Sequence, residues 1–154
     1  GYREYADAGH SDTLPRMMGF QAAGAAPFVA DAFIDDPETI ASAICIGKPA
    51  SWQPAKAALQ FSAGKIDKVT DEEILTAYQM ITAQEGIFVE PASAAALAGI
   101  IKLQNANKID EGSIVVATMT GHGLKDPDNA AEHANAEATT VEPTLDAVKA
   151  AIGM

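Results

Sequence analysis

A chain of 154 residues has room for one ordinary domain and one core. Its 48% hydrophobic and 20% charged residues describe a globular protein rather than a disordered one, and a net charge of −11 leaves no basic cluster for nucleic acid or an anionic membrane. The single cysteine, Cys45, excludes an internal disulfide and fits a reducing cytoplasm. No apolar run reaches the roughly 18 residues of a spanning helix, and Gly1 to His10 is too polar for a signal peptide. A first residue other than methionine reads as the start of a fragment or a processed form.

In chain order, GYREYADAG reads as the tail of a helix that stops at Gly9. RMMGFQ, after Pro15, is a short strand, and AAGAAPFVADAF a helix broken or begun near Pro27. TIASAICIG is apolar but undecided between strand and helix by periodicity. Trp52 to Ser62 is helical and Lys65 to Val69 a strand. Thr70 and Glu73 have the spacing of a capping box, heading a helix that runs to about Gln84 and stops at Gly86. Ile87 to Val89 is a short strand, and Pro91 to about Asn105 an Ala-rich helix with proline in its first turn. Ser113 to Met119 has the strongest strand character in the chain. Ala131 to Thr140 reads as a connector and Pro143 to Ile152 as a closing helix.

Short strands alternating with longer helices predict an α/β fold, a parallel sheet covered by helices on both faces. Ligands of such sheets sit outside the carboxyl ends of the strands, here after Gln21, at Glu90 and at Thr120. Small residues at those exits suit a ligand and suit close helix–sheet packing equally well. The stretch TMTGHGLKDPD (Thr118 to Asp128) is the most telling, because a hydroxyl followed by Gly121 and Gly123 presents a small polar group where backbone can approach closely. His122 has no partner in sequence and reads as a structural or exposed histidine. Lys125 reads as a member of an ion pair with Asp126, and Cys45, between Ile44 and Ile46, as an inert thiol. His10 and His133 each stand alone, so no metal site is expected.

Several segments in register resemble the threonine synthase family: RMMGFQAAGAAP (Arg16 to Pro27), the PETI segment at Pro37, IGKPASW (Ile46 to Trp52), VTDEEIL (Val69 to Leu75), EGIFVEPASAAALAG (Glu85 to Gly99) and VVATMTGHGLKDPD (Val115 to Asp128). The closing EPTLDAVKAAIG is similar to the short last helix of actinobacterial members. The resemblance implies the C-terminal part of the large domain of a fold type II, tryptophan-synthase-like pyridoxal phosphate enzyme over residues 1–130, with a connector and closing helix over 131–154. It implies conversion of O-phospho-L-homoserine and water to L-threonine and phosphate.

Of that family's cofactor contacts, the hydroxyl that meets the pyridine nitrogen maps onto Thr120. Glu90 is expected near the ring edge, or as a cap of its own helix. Ile46 and Gly47 resemble a segment bordering one face of the ring, and Gly121 follows the hydroxyl directly. Ser93 and Ala94 are read as packing. The lysine that holds the cofactor covalently and the Gly/Asn-rich phosphate loop have no counterpart, so no catalytic residue is assigned and the chain alone is expected to be inactive. Cys45 and Lys48 replace the arginine and asparagine of many members, which removes a fixed fork of donors from that edge. A related lyase such as threonine dehydratase, and a non-catalytic binding or regulatory module, are the alternatives. The expected partners are O-phosphohomoserine, the missing N-terminal half and, through exposed sheet edge, further copies of the chain as a homo-oligomer.

Overall fold

A computed structural model describes residues 1–133 and 139–154. Helix α1 (Tyr2–Asp7) leads through an extended segment to β1 (Met18–Ala22). Next comes a 3-10 turn at Ala23–Ala25, helix α2 (Pro27–Ala30) and a second 3-10 turn at Ser42–Ile44. Helix α3 (Trp52–Ser62) then returns the chain to β2 (Lys65–Val69), which pairs parallel to β1 in register from Met18 opposite Lys65 to Ala22 opposite Val69. A parallel pair needs such a crossover, since a tight turn can only reverse the chain. The crossover is fixed by aromatic packing: Trp52 at the head of α3 stacks on Phe28 with centroids 4.4 Å apart and meets Phe33 edge-on at 5.4 Å.

Helices α4 (Asp71–Glu85) and α5 (Pro91–Asn105) form the other half of the core. Helix α4 starts where the sequence places its capping box: the Glu73 N–H donates to Thr70 Oγ1 at 3.2 Å and the Thr70 N–H to Glu73 Oε2 at 2.8 Å. It ends at Gly86, whose φ of 67° is the left-handed geometry that closes many helices. Buried Ile74, Ala77, Tyr78 and Ile81 of α4 meet Ala94, Ala95 and Ala98 of α5, with Ala22 and Val69 from the strand ends. Small side chains let α5 lie close on the sheet. At Gly99 a Cβ would fall 2.2 Å from the Phe20 ring, so only glycine allows β1 and α5 their observed approach. Two loop-to-helix ties brace the upstream segment: Thr39 Oγ1 donates to Asp71 Oδ1, and the Ile40 N–H to Asp71 Oδ2 at 3.1 Å.

The sequence expectations hold for α3, β2, α4 and α5; the structure corrects two others and decides one left open. Ser113 to Met119 forms no strand: it has no ladder partner among the described residues, and Ile114 and Val116 are 94% and 79% exposed. Apolarity marks a residue run as fit for a sheet, but a strand also requires a neighbour to accept its main-chain hydrogen bonds. Ile87 to Val89 reduces to one antiparallel bridge between Val89 and His122. The undecided TIASAICIG resolves as a single 3-10 turn. The parallel sheet of the described residues therefore has two strands. Helix α6 (Pro127–His133) takes up the start of the expected connector, of which residues 134–138 lie outside the described residues, and α7 (Leu145–Ala151) is the closing helix. Among the described residues, no helix is long and apolar enough to cross a membrane.

Candidate cofactor-binding edge

The chain entering α5 and the loop Thr120–Gly123 are locked together by main-chain bonds. The Glu90 N–H donates to the Gly121 carbonyl at 3.0 Å and the Gly123 N–H to the Phe88 carbonyl at 3.2 Å, on either side of the Val89–His122 bridge. Glu90 is the N-cap residue of α5, which Pro91 opens at a position where a missing N–H costs nothing. The Glu90 side chain makes no capping bond. It turns instead toward the loop, 5% exposed, with Lys125 Nζ 3.4 Å from Oε1. Gly121 makes room for it, since a Cβ there would lie 1.9 Å from Glu90 Oε1. Lys125 thus pairs with Glu90 and not, as its place beside Asp126 suggested, with its neighbour. Asp126 accepts from Ser42 Oγ at 3.0 Å and Asn129 Nδ2 at 2.9 Å.

Thr120 is exposed at this edge, and its hydroxyl lies 2.9 Å from the Oγ of Ser93, a residue 1% exposed. Ser93 Oγ also receives the Gly121 N–H at 2.6 Å. Three of the residues singled out from sequence, Glu90, Thr120 and Gly121, are therefore gathered beside the Val89–His122 bridge at the head of α5. The residue joining them is Ser93, which the sequence alone assigns to packing. A lone hydroxyl in the first turn of an otherwise alanine-rich helix was the signal available.

Ile46 and Gly47 lie on a separate loop. Ile46 is 49% exposed; Gly47 is buried, its carbonyl accepting from the Ile34 N–H at 3.1 Å, and a Cβ on it would fall 1.8 Å from the Ile34 carbonyl oxygen. That loop is tied to the Thr120 side through Ser42 and Asp126, and through Asn129 Nδ2, which donates to the Ile40 carbonyl at 3.1 Å. Cys45 is half-buried, with its thiol 3.3 Å from the Pro37 carbonyl. His122 serves the loop itself: its Nδ1 accepts the Leu124 N–H at 3.1 Å and its ring stands edge-on to Phe88 at 5.5 Å.

An exposed hydroxyl, a shielded carboxylate and close-packed glycines at one edge suit a planar ligand with a polar ring atom. Residues 1–121 match the family described as pyridoxal-phosphate dependent enzyme. The chain belongs to that family. It is 48% identical over 154 residues to the threonine synthase of Synechocystis sp., a match covering 99% of this chain and 40% of that protein. Identity to the Mycobacterium leprae threonine synthase is 55% over 130 residues, covering 84% of this chain and 36% of that one. The Methanocaldococcus jannaschii threonine synthase is 44% identical over 158 residues, with 97% and 38% covered. The chain thus spans about two fifths of the length of these relatives.

Among solved structures, the crystal structure of O-ureido-L-serine synthase with bound O-ureido-L-serine superposes with a TM-score of 0.60 and 12% identity, over 97% of this chain and 41% of that one. At that identity the likeness is one of fold. With the family match, it bears out the α/β, fold type II architecture expected from sequence for this pyridoxal-phosphate dependent enzyme family member.

Proposed function

We propose that this chain supplies one wall of the cofactor site of a threonine synthase, which converts O-phospho-L-homoserine and water to L-threonine and phosphate. The observation that carries this reading is an exposed Thr120 hydroxyl seated on a buried serine, in a chain 48% identical over its length to a threonine synthase. Residues 1–130 are the C-terminal part of the large, cofactor-binding domain, and 131–154 a connector and closing helix.

The edge fits pyridoxal phosphate by its donor set. Thr120 would meet the pyridine nitrogen with a neutral hydroxyl and would orient the ring without the carboxylate that holds such a nitrogen protonated. Glu90, paired with Lys125, would stand near the ring edge. Gly121 lets the Thr120 loop approach Glu90 closely, and Ile46 with Gly47 would border one ring face. When bound, the cofactor supplies an electron sink for the substrate's reacting carbons. The lysine that holds it covalently and the loop that cradles its phosphate come from the N-terminal half, so this chain contributes orientation and electrostatics and no catalytic residue.

The test is an assay of phosphate release from O-phosphohomoserine by the purified chain and by the protein encoded when the reading frame is extended upstream of Gly1. We expect none from the chain alone and steady release from the extended protein. Threonine formation by the chain alone overturns the assignment of the catalytic lysine to the other half. An extended, cofactor-loaded protein that releases no phosphate overturns the threonine synthase reading and favours a related lyase, such as a threonine dehydratase.

A further inference from the structure

Ser93 lies in the first turn of α5 among buried Ala94, Ala95 and Ala98, and three polar atoms converge on its hydroxyl. The Gly121 N–H donates to Oγ at 2.6 Å; Thr120 Oγ1 at 2.9 Å and the Gly121 carbonyl oxygen at 3.2 Å are both placed to accept from it. A hydroxyl has one proton, so only one of these two is served at a time. The Gly121 carbonyl already accepts from the Glu90 N–H at 3.0 Å, and Thr120 is the nearer acceptor. With the Ser93 proton on Thr120 Oγ1, the proton of Thr120 has no inward acceptor at Ser93 and points away from the helix. The bonds then run in one direction, from the Gly121 N–H through Ser93 to Thr120, each polarising the next. In the opposite arrangement Thr120 would donate inward and offer a ligand only lone pairs.

We propose that Ser93 is a positioning residue which turns the hydroxyl proton of Thr120 outward, making Thr120 a fixed donor to an unprotonated aromatic nitrogen. The role toward a ligand rests on the cofactor reading given above; the orientation of Thr120 belongs to the ligand-free chain and is testable without it. Among the described residues, the bond to Ser93 is the one that holds the exposed Thr120 side chain to the buried layer. Its rotamer therefore depends on a strong donor behind it rather than on the volume of residue 93.

The first measurement is of Thr120 χ1 populations from three-bond methyl couplings in the ligand-free chain. The variants are Ser93→Ala, Ser93→Cys, which keeps the volume but is a poor donor, and Ser93→Thr, which restores the hydroxyl. We expect one dominant rotamer in the parent chain and in Ser93→Thr, and averaging in Ser93→Ala and Ser93→Cys. A single rotamer retained in Ser93→Cys, or averaging already present in the parent chain, overturns the proposal. In the extended, cofactor-loaded protein the second readout is the 15N shift of labelled pyridoxal phosphate. Thr120→Val and Ser93→Cys should move the ring-nitrogen signal in the same direction. A signal moved by Thr120→Val alone overturns the role of Ser93 and leaves that of Thr120; one moved by neither overturns the Thr120 reading itself.

Discussion

Lys125 Nζ lies 3.4 Å from Glu90 Oε1 and is the cation that faces this carboxylate, whose side chain is 6% exposed while that of Lys125 is 62% exposed. Burial on one side only makes the two halves of the pair unequal. Removing Lys125 leaves a shielded charge uncompensated, a change that costs several kcal/mol in a dry interior, and the exposure of the lysine reduces that. Lys125→Met should therefore lower stability by about 1–2 kcal/mol. Glu90→Gln, which removes the charge and keeps the shape, should cost less, and the double variant should recover part of the Lys125→Met loss. Urea unfolding at low and high salt checks this. A loss independent of salt and of Glu90 would mean that Lys125 acts through packing of its stem alone.

The contact between Gly99 and the Phe20 ring sets the spacing of α5 from β1. A Cβ at 2.2 Å from a ring on a buried face cannot be absorbed by one rotamer change, so Gly99→Ala should destabilise by about 1–3 kcal/mol despite the better helix propensity of alanine. Phe20→Ala removes the obstructing Cγ and Cδ atoms. A double-mutant cycle should accordingly give Gly99→Ala a smaller cost in the Phe20→Ala background. Equal costs in both backgrounds would place the obstruction elsewhere.

The elements legible in the sequence are those whose signals are local. The Thr70–Glu73 spacing, proline at the head of α5 and glycine after α4 each describe a main-chain demand met within a few residues, and the structure meets them. The run Ser113 to Met119 shows the opposite case, since its composition promised a strand whose existence depends on another segment lying alongside. At the candidate site, sequence marked the strand exits through glycine and hydroxyl residues. It did not reveal that Ser93, 27 residues before Thr120, stands behind it, nor that Lys125 reaches back to Glu90. Those relations are set by how α5 and the Thr120 loop pack, which no periodicity encodes.

Tyr78 gives the structure an alkaline limit. Burial in the α4–α5 core, and then the negative charge of Asp126, raise its pKa above the usual tyrosine value of about 10. The folded form holds this proton more tightly than the unfolded form, so the stabilisation is complete below the ordinary tyrosine value. It is lost as pH rises from there through the folded value. In a background carrying Tyr2→Phe and Tyr5→Phe, tyrosinate absorbance reports Tyr78 alone, and its rise should coincide with loss of helix by circular dichroism. Tyr78→Phe should remove this component of alkaline unfolding, and Asp126→Asn should bring the Tyr78 titration to lower pH. A Tyr78 signal that rises well before any structural change would contradict the burial argument.

Ile114, Val115 and Val116 are 94%, 49% and 79% exposed on a segment without a strand partner among the described residues. Apolar side chains beside free main-chain donors and acceptors are a template for pairing with another chain. The 154-residue chain should therefore associate in a concentration-dependent way, with the apparent mass by light scattering above that of a monomer. Charges on the same segment should reverse this without touching the core: Ile114→Lys with Val116→Lys should shift the mass toward the monomer while leaving the circular dichroism of α4 and α5 unchanged. The pairing is main-chain as well as apolar, so Val116→Pro, which removes one N–H, should weaken association further than its change in hydrophobicity predicts. A clean monomer at all concentrations, or association indifferent to these substitutions, would show that the exposed run is not the surface that joins the copies.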